Sequence, residues 1–150
     1  MQRCGYGRDD PIGIGCTAVS DLLDDRIAKH QSLGELYRSV AGLRGGHPNL
    51  LYATSRGGIA QMTRAMVANH GPDGVRVNCV APSMVYTPMV YGRGMSEELR
   101  EKRRKGSLLQ VEGTGWDVGT AVVKLTSEQA RWLTGVVLPV DAGTTAVFAA

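Results

Sequence analysis

The stretch YATSRGG, residues 52–58, sets Tyr52 four residues before Arg56. On a helix that spacing places both side chains on one face, one turn apart. A phenol can give a proton to an oxygen or take one from it. A positive neighbour helps, because a free Tyr ionises only at about pH 10. The same pair also serves as ordinary packing at a helix rim. With five Tyr and 17 Lys and Arg in the chain, one Tyr-x-x-x-base match by chance is unremarkable. What decides between the readings is whether the rest of the chain builds a site around them.

The elements that must position the pair are legible from about residue 50 onward. A helix is expected from Leu51 or Tyr52 to Asn69–His70, with Ile59, Met62, Met66 and Val67 on its buried face. Gly71 and Pro72 stop it. VRVNCVA, 75–81, alternates and is β-branched, so it reads as a strand closed by Pro82. SMVYTPMVYGRG reads as a loop. A short polar helix follows, with Ser96 as its N-cap. Another carries Asp117 near its positive end and buries Val118, Ala121, Val122 and Leu125. EQARWLTG is a brief helical turn, and VVLPV, 136–140, a short apolar strand. This alternation predicts an α/β sheet with parallel strands.

Residues 1–38 give little. Val19, Leu22, Leu23 and Ile27 suggest one short helix capped by Thr17 or Ser20. Gly5 and Gly7 do not open a G-x-G-x-x-G loop, because Asp10 stands at the third position. GELYRS, 34–39, contains no apolar run, and no strand is expected before Val40.

Composition narrows the class. The chain has 150 residues, enough for one domain, with 43% hydrophobic and 21% charged residues, as in ordinary globular proteins. A single Phe leaves the core to Val, Leu, Ala, Met and Ile. A net charge of +3, with no basic stripe interleaved with aromatics, argues against nucleic acid. REKRRK, 100–105, reads as a solvated helix face, with a phosphate-facing patch as its alternative. Cys4, Cys16 and Cys79 have no metal-ligand spacing, so no metal site is expected, and the simplest expectation is reduced thiols in a cytoplasmic protein. His47 and His70 read as surface residues. No secretory h-region and no run long enough to span a bilayer is present.

Four stretches in order resemble the short-chain dehydrogenases/reductases, single-domain Rossmann oxidoreductases that use NAD or NADP. They are SVAGLRGGHPNLLYATSRGG, the helix from 52 to 70, GVRVNCVAPSMVYTPM, and GTGWDVGTAVVKLTSEQARWLTGVVLPVDAG. In the first, Ser39 precedes Tyr52 by the family's thirteen residues and Arg56 stands where the family has Lys. The resemblance runs from Ser39 to Val147. It implies a partial Rossmann-like, doubly wound α/β fold: a C-terminal half, 39–150, with parallel strands flanked by helices, behind an unmatched segment, 1–38. It also implies roles. Tyr52 is the general acid/base, Arg56 its positive neighbour and a holder of the cofactor ribose, and Ser39 a hydrogen-bond donor to the substrate oxygen. Pro82, Val85 and Thr87 face the nicotinamide. Met84, Tyr86, Met89, Val90 and Tyr91 shape an apolar pocket for a small-molecule alcohol or carbonyl substrate. Asn78 is a structural strand residue, and the partner expected is a second copy or a full-length relative.

Three departures qualify this. Arg56 keeps the charge of Lys but cannot pass a proton on. Ser83 replaces a Gly, at a cost of order 1 kcal/mol if the backbone there requires φ > 0. The family's first strand, Gly-rich loop, acidic ribose-binding residue and Asn-Ala-Gly segment have no match in 1–38. The expectation is therefore an oxidoreductase-like chain, truncated at its N-terminus and impaired or inactive alone. The alternatives are a non-catalytic subunit that pairs with a full-length relative, or a gene-model fragment in which residues 1–38 are out of frame or mis-joined.

Overall fold

The structure, a computed structural model, describes residues 34–92 and 94–147, and for residues 34–37 and Met89 the backbone alone. The helix expected near 17–27, Cys4 and Cys16 lie outside the described residues. Three parallel strands form the main sheet in the order β1 (Gly34–Tyr37), β2 (Val77–Pro82), β5 (Val137–Val140). A second pair, β3 (Val85–Tyr86) and β4 (Gly113–Thr114), is also parallel. The helices are α1 (Leu50–His70), α2 (Pro88–Tyr91), α3 (Glu97–Lys105) and α4 (Gly115–Thr126).

Strand β2 is the centre. Val77 through Ala81 are all buried, as befits a parallel strand covered on both faces. On one face Val75, Val77 and Cys79 meet Ile59, Met62, Met66 and Val67 of α1, the stripe expected from spacing. Helix α4 packs against β2 and β5. The Asn78 side chain, fully buried, donates to the Leu133 carbonyl at 3.0 Å and accepts from Val136 N at 3.1 Å. It thereby ties β2 to the segment that leads into β5, the structural use expected of it. Arg76 donates to the Leu125 and Ser127 carbonyls, a cation at the C-terminal end of α4 where the helix dipole is negative.

The sequence reading is corrected in three places. GELY is a strand. Gly34 to Tyr37 pair in unbroken register with Val77 to Val80, and Arg38 N extends the ladder to the Val80 carbonyl. Pairing with a buried neighbour overrides weak local preference. The stretch 84–95 is not plain loop, since it holds β3 and the single turn α2, started by Pro88 at its first position. Ser83 carries no strain: among described non-glycine residues only Gln110 and Ala142 have positive φ.

The helix starts are set by side-chain caps. Asn49 Oδ1 accepts from Tyr52 N at 2.9 Å, and Ser96 Oγ from Leu99 N at 3.2 Å. Asp117 accepts from both Thr114 N and its hydroxyl. Among the described residues, no helix is long and apolar enough to cross a membrane.

One contact fixes the turn after Ser39 against α1. Gly42, in the 3-10 turn Val40–Gly42, lies so close to the helix that a Cβ there would stand 2.5 Å from the Arg56 carbonyl carbon and 2.6 Å from Gly57 N. A Cβ on Gly57 would meet only the Gly42 oxygen, at 3.8 Å. Gly42→Ala should therefore cost about 1–3 kcal/mol in urea unfolding. Gly57→Ala, in a helix interior, should stabilise by up to about 1 kcal/mol. Equal effects of the two would show that the turn does not depend on this approach.

Candidate active site

Ser39 leaves β1 in extended conformation and caps the turn, its Oγ accepting from Ala41 N at 3.2 Å. The hydroxyl proton remains available to a ligand. Tyr52 is the third residue of α1 and is half-buried. Its ring lies between two neighbours: the His47 ring at 4.8 Å between centroids, tilted by 33°, and the Arg56 guanidinium carbon 4.8 Å from the ring centroid. His47 is held in turn by Asn49 N, which donates to its Nδ1 at 3.1 Å. Arg56 thus meets the face of the ring and not the hydroxyl. Its Nε is buried with no hydrogen-bond partner.

An open cleft of about 1230 Å³ gathers most of the residues singled out by sequence. Ser39 and Tyr52 line one side. Pro82, Met84, Val85 and Thr87, which follow the end of β2, line the other. Val90 lies there too, whereas Arg56 stands behind the Tyr52 ring and does not line the cleft. Val85 N bonds the Ser83 carbonyl at 3.0 Å, and Ser83 N bonds Val140 at 3.3 Å, so the chain leaving β2 stays tied to β5.

Tyr86 and Tyr91 are not brought to this cleft. They stack on each other at 4.8 Å, and Tyr86 lines a separate cavity of about 230 Å³. The cause is a clamp. Arg100 on α3 grips Glu112 with both arms, at 2.8 and 2.6 Å, and its guanidinium carbon lies 4.5 Å from the Tyr86 centroid. The side chain of Met89 is outside the described residues. Arg38 and Arg44, which sequence reasoning passed over, line the cleft, as does Arg103 of the run REKRRK, for which a phosphate-facing patch is the alternative reading. Arg44 sits in a Gly-rich loop and Arg103 inside a charge run, and neither setting singles them out.

The charge run on α3 is paired in part within itself. Arg104 grips Glu101 at 2.7 and 2.6 Å, and Lys105 reaches the same carboxylate at 3.4 Å. The Arg104 hydrogen bonds hold the Glu101 carboxyl down at about 2. The Arg100 hydrogen bonds likewise hold the Glu112 carboxyl below its ordinary value. Among the described residues, no cluster of three or more His, Cys, Asp or Glu could hold a metal.

A model of the family described as enoyl-(acyl carrier protein) reductase matches residues 17–145, a stretch that begins upstream of Ser39. Meso-2,3-butanediol dehydrogenase of Serratia marcescens is 37% identical over 72% of this chain and 42% of its own length. The 2-(S)-hydroxypropyl-CoM dehydrogenase 3 of Xanthobacter autotrophicus is 34% identical over 87% of this chain and 52% of its own. Among solved structures, an oxidoreductase of the short-chain dehydrogenase/reductase family from Burkholderia thailandensis superposes with a TM-score of 0.73 at 31% identity. That superposition covers 87% of this chain and 53% of the other. The chain belongs to the short-chain dehydrogenase/reductase family. It spans about half the length of the curated relatives it matches.

The Glu112 clamp has a signed pH dependence. A carboxyl whose folded value is depressed stabilises the fold fully above its ordinary value near 4.5, and that contribution is lost as pH falls through the folded value. Glu112→Gln should lower the urea midpoint at neutral pH and flatten its acid limb below pH 4.5. An acid limb identical to that of the unaltered chain would rule the clamp out as its source.

Proposed function

We propose that residues 39–147 form the catalytic, substrate-side half of an NAD(P)-dependent oxidoreductase that interconverts an alcohol and a carbonyl compound. The observation that carries this reading is the convergence of Ser39, Tyr52 and the segment Pro82–Thr87 on one cleft. The residues fit a dinucleotide at its nicotinamide end. Arg56 does not line the cleft and bears on a ligand there only through the Tyr52 ring it packs against. Thr87 begins α2 without spending its side chain on a cap, which leaves it to a carboxamide beside the Val85 backbone. NAD(P) bound there supplies or accepts the hydride.

Tyr52 gives its hydroxyl proton to the carbonyl oxygen in reduction and takes it back in oxidation. Ser39 donates to the same oxygen and steadies its developing charge. Arg56 and His47 hold the phenol ring between them. Met84 and Val90 supply the apolar wall, and no role in it falls to Tyr86 or Tyr91. Tyr52→Phe should cut NADH- or NADPH-linked ketone reduction by at least about hundredfold while dinucleotide affinity stays nearly unchanged. An unchanged rate would remove Tyr52 from the chemistry.

A second reading, assembly with another copy or with a full-length relative, is favoured by exposed apolar side chains. Leu50 and Leu51 at the start of α1 are 78% and 80% exposed, and Trp116 and Trp132 are 86% and 89% exposed. Apolar side chains exposed to this degree are available to a contact surface. Sedimentation equilibrium on the purified chain should give a dimer or larger species. A monomer at every concentration would overturn self-assembly and leave only the mixed complex.

A further inference from the structure

The cleft has a one-sided charge. Arg38, Arg44 and Arg103 line it, and among the described residues no Asp or Glu does. Each guanidinium is under-used. Arg38 is 4% exposed, and Nε, Nη1 and Nη2 are all buried without a hydrogen-bond partner. Arg64 adds a like charge in its neighbourhood, with Cys79 acting in the opposite sense. A buried guanidinium left this way is costly unless an anion completes it. Arg44 spends one Nη1 on the Thr144 carbonyl. Arg103 has a single long contact, Nη2 to the Val85 carbonyl at 3.5 Å. Its α3 neighbours Arg100 and Arg104 each hold a carboxylate in a two-pronged grip; among the described residues Arg103 makes no such grip, although its charge bears on Glu112.

We propose that the substrate of this cleft carries an anionic group, a carboxylate, sulfonate or phosphate, which Arg44 and Arg103 grip while its alcohol or carbonyl carbon faces Tyr52. The planar fork of arginine fits such oxyanions with paired hydrogen bonds. The assignment rests on the oxidoreductase reading and deepens it. The same chemistry could meet the phosphates of the cofactor. Arg44 reaches the Thr144 carbonyl and Arg103 the Val85 carbonyl, both on residues that line the cleft. Comparison with ADP-ribose decides between the two.

The test is calorimetry on the full chain with β-keto acids, from acetoacetate upward, with their neutral methyl esters, and with ADP-ribose. The acids should bind about tenfold or more tightly than the esters. Arg44→Gln with Arg103→Gln should abolish that preference, and Arg44→Lys with Arg103→Lys should keep part of it, which separates lost charge from lost fold. Equal binding of acid and ester would overturn the proposal, as would a preference that survives both Gln changes. If the Gln changes weaken ADP-ribose and leave the acids untouched, the anion is the cofactor's and the substrate assignment falls. Ketone reduction separates the two readings. A neutral ketone turned over as fast as its anionic analogue overturns only the anion assignment. Acid binding without turnover of any ketone overturns only the dehydrogenase reading.

Discussion

The approach of Gly42 to the backbone of α1 is the constraint on which the site depends. Ser39 follows a strand, and Tyr52 and Arg56 ride on a helix that begins eleven residues later in the chain. Nothing local relates the two. The 3-10 turn Val40–Gly42 does so by resting directly on the peptide between Arg56 and Gly57. Only a residue without a Cβ allows backbone to meet backbone there. Once that seat is taken, the Ser39 hydroxyl and the Tyr52 ring must open on the same cleft. The Arg56 side chain, rooted at the seat itself, is left against the ring of Tyr52.

The other wall hangs from β2. Its five buried residues fix it in the interior, and Asn78 and Arg76 anchor the return of the chain toward β5. A strand held so firmly delivers Pro82–Thr87 to a defined place. Beyond Val85 control passes to α3. The Arg100–Glu112 grip and the β3–β4 pairing draw Tyr86 away from the cleft. The two halves of the loop after β2 therefore answer to different anchors, one hydrophobic and one ionic, and only the second weakens in acid.

What could be read from sequence divides along the same line. Helix α1 was legible because its buried face is periodic, and its cluster with β2 follows from Ile59, Met62, Met66 and Val67. The cap at Ser96 and the place of Asp117 near the positive end of its helix were legible because both need only a few residues in a row, whereas the Thr114 partner of Asp117 was not read. Strand β1 was not, since GELY becomes a strand only through its pairing with β2. The withdrawal of Tyr86 and Tyr91 was equally hidden, because it depends on Glu112, far along the chain. The arginines of the cleft were hidden for a third reason. A charge run shows its composition and not which member is free of a two-pronged carboxylate grip, which on α3 Arg100 and Arg104 have and Arg103 does not.

Arg56 shows how much one exchange at a catalytic position rearranges. Lysine carries a compact charge on a flexible stem, which can sit beside a phenol oxygen and hand on protons. The guanidinium is planar and, at its distance from Tyr52, meets the ring face. It positions the ring without joining the path of the proton. The buried Nε has no hydrogen-bond partner in the protein. On the proposed reading, arginine here supports the ring of Tyr52 and leaves proton transfer to the Tyr52 hydroxyl and to Ser39, which lines the same cleft.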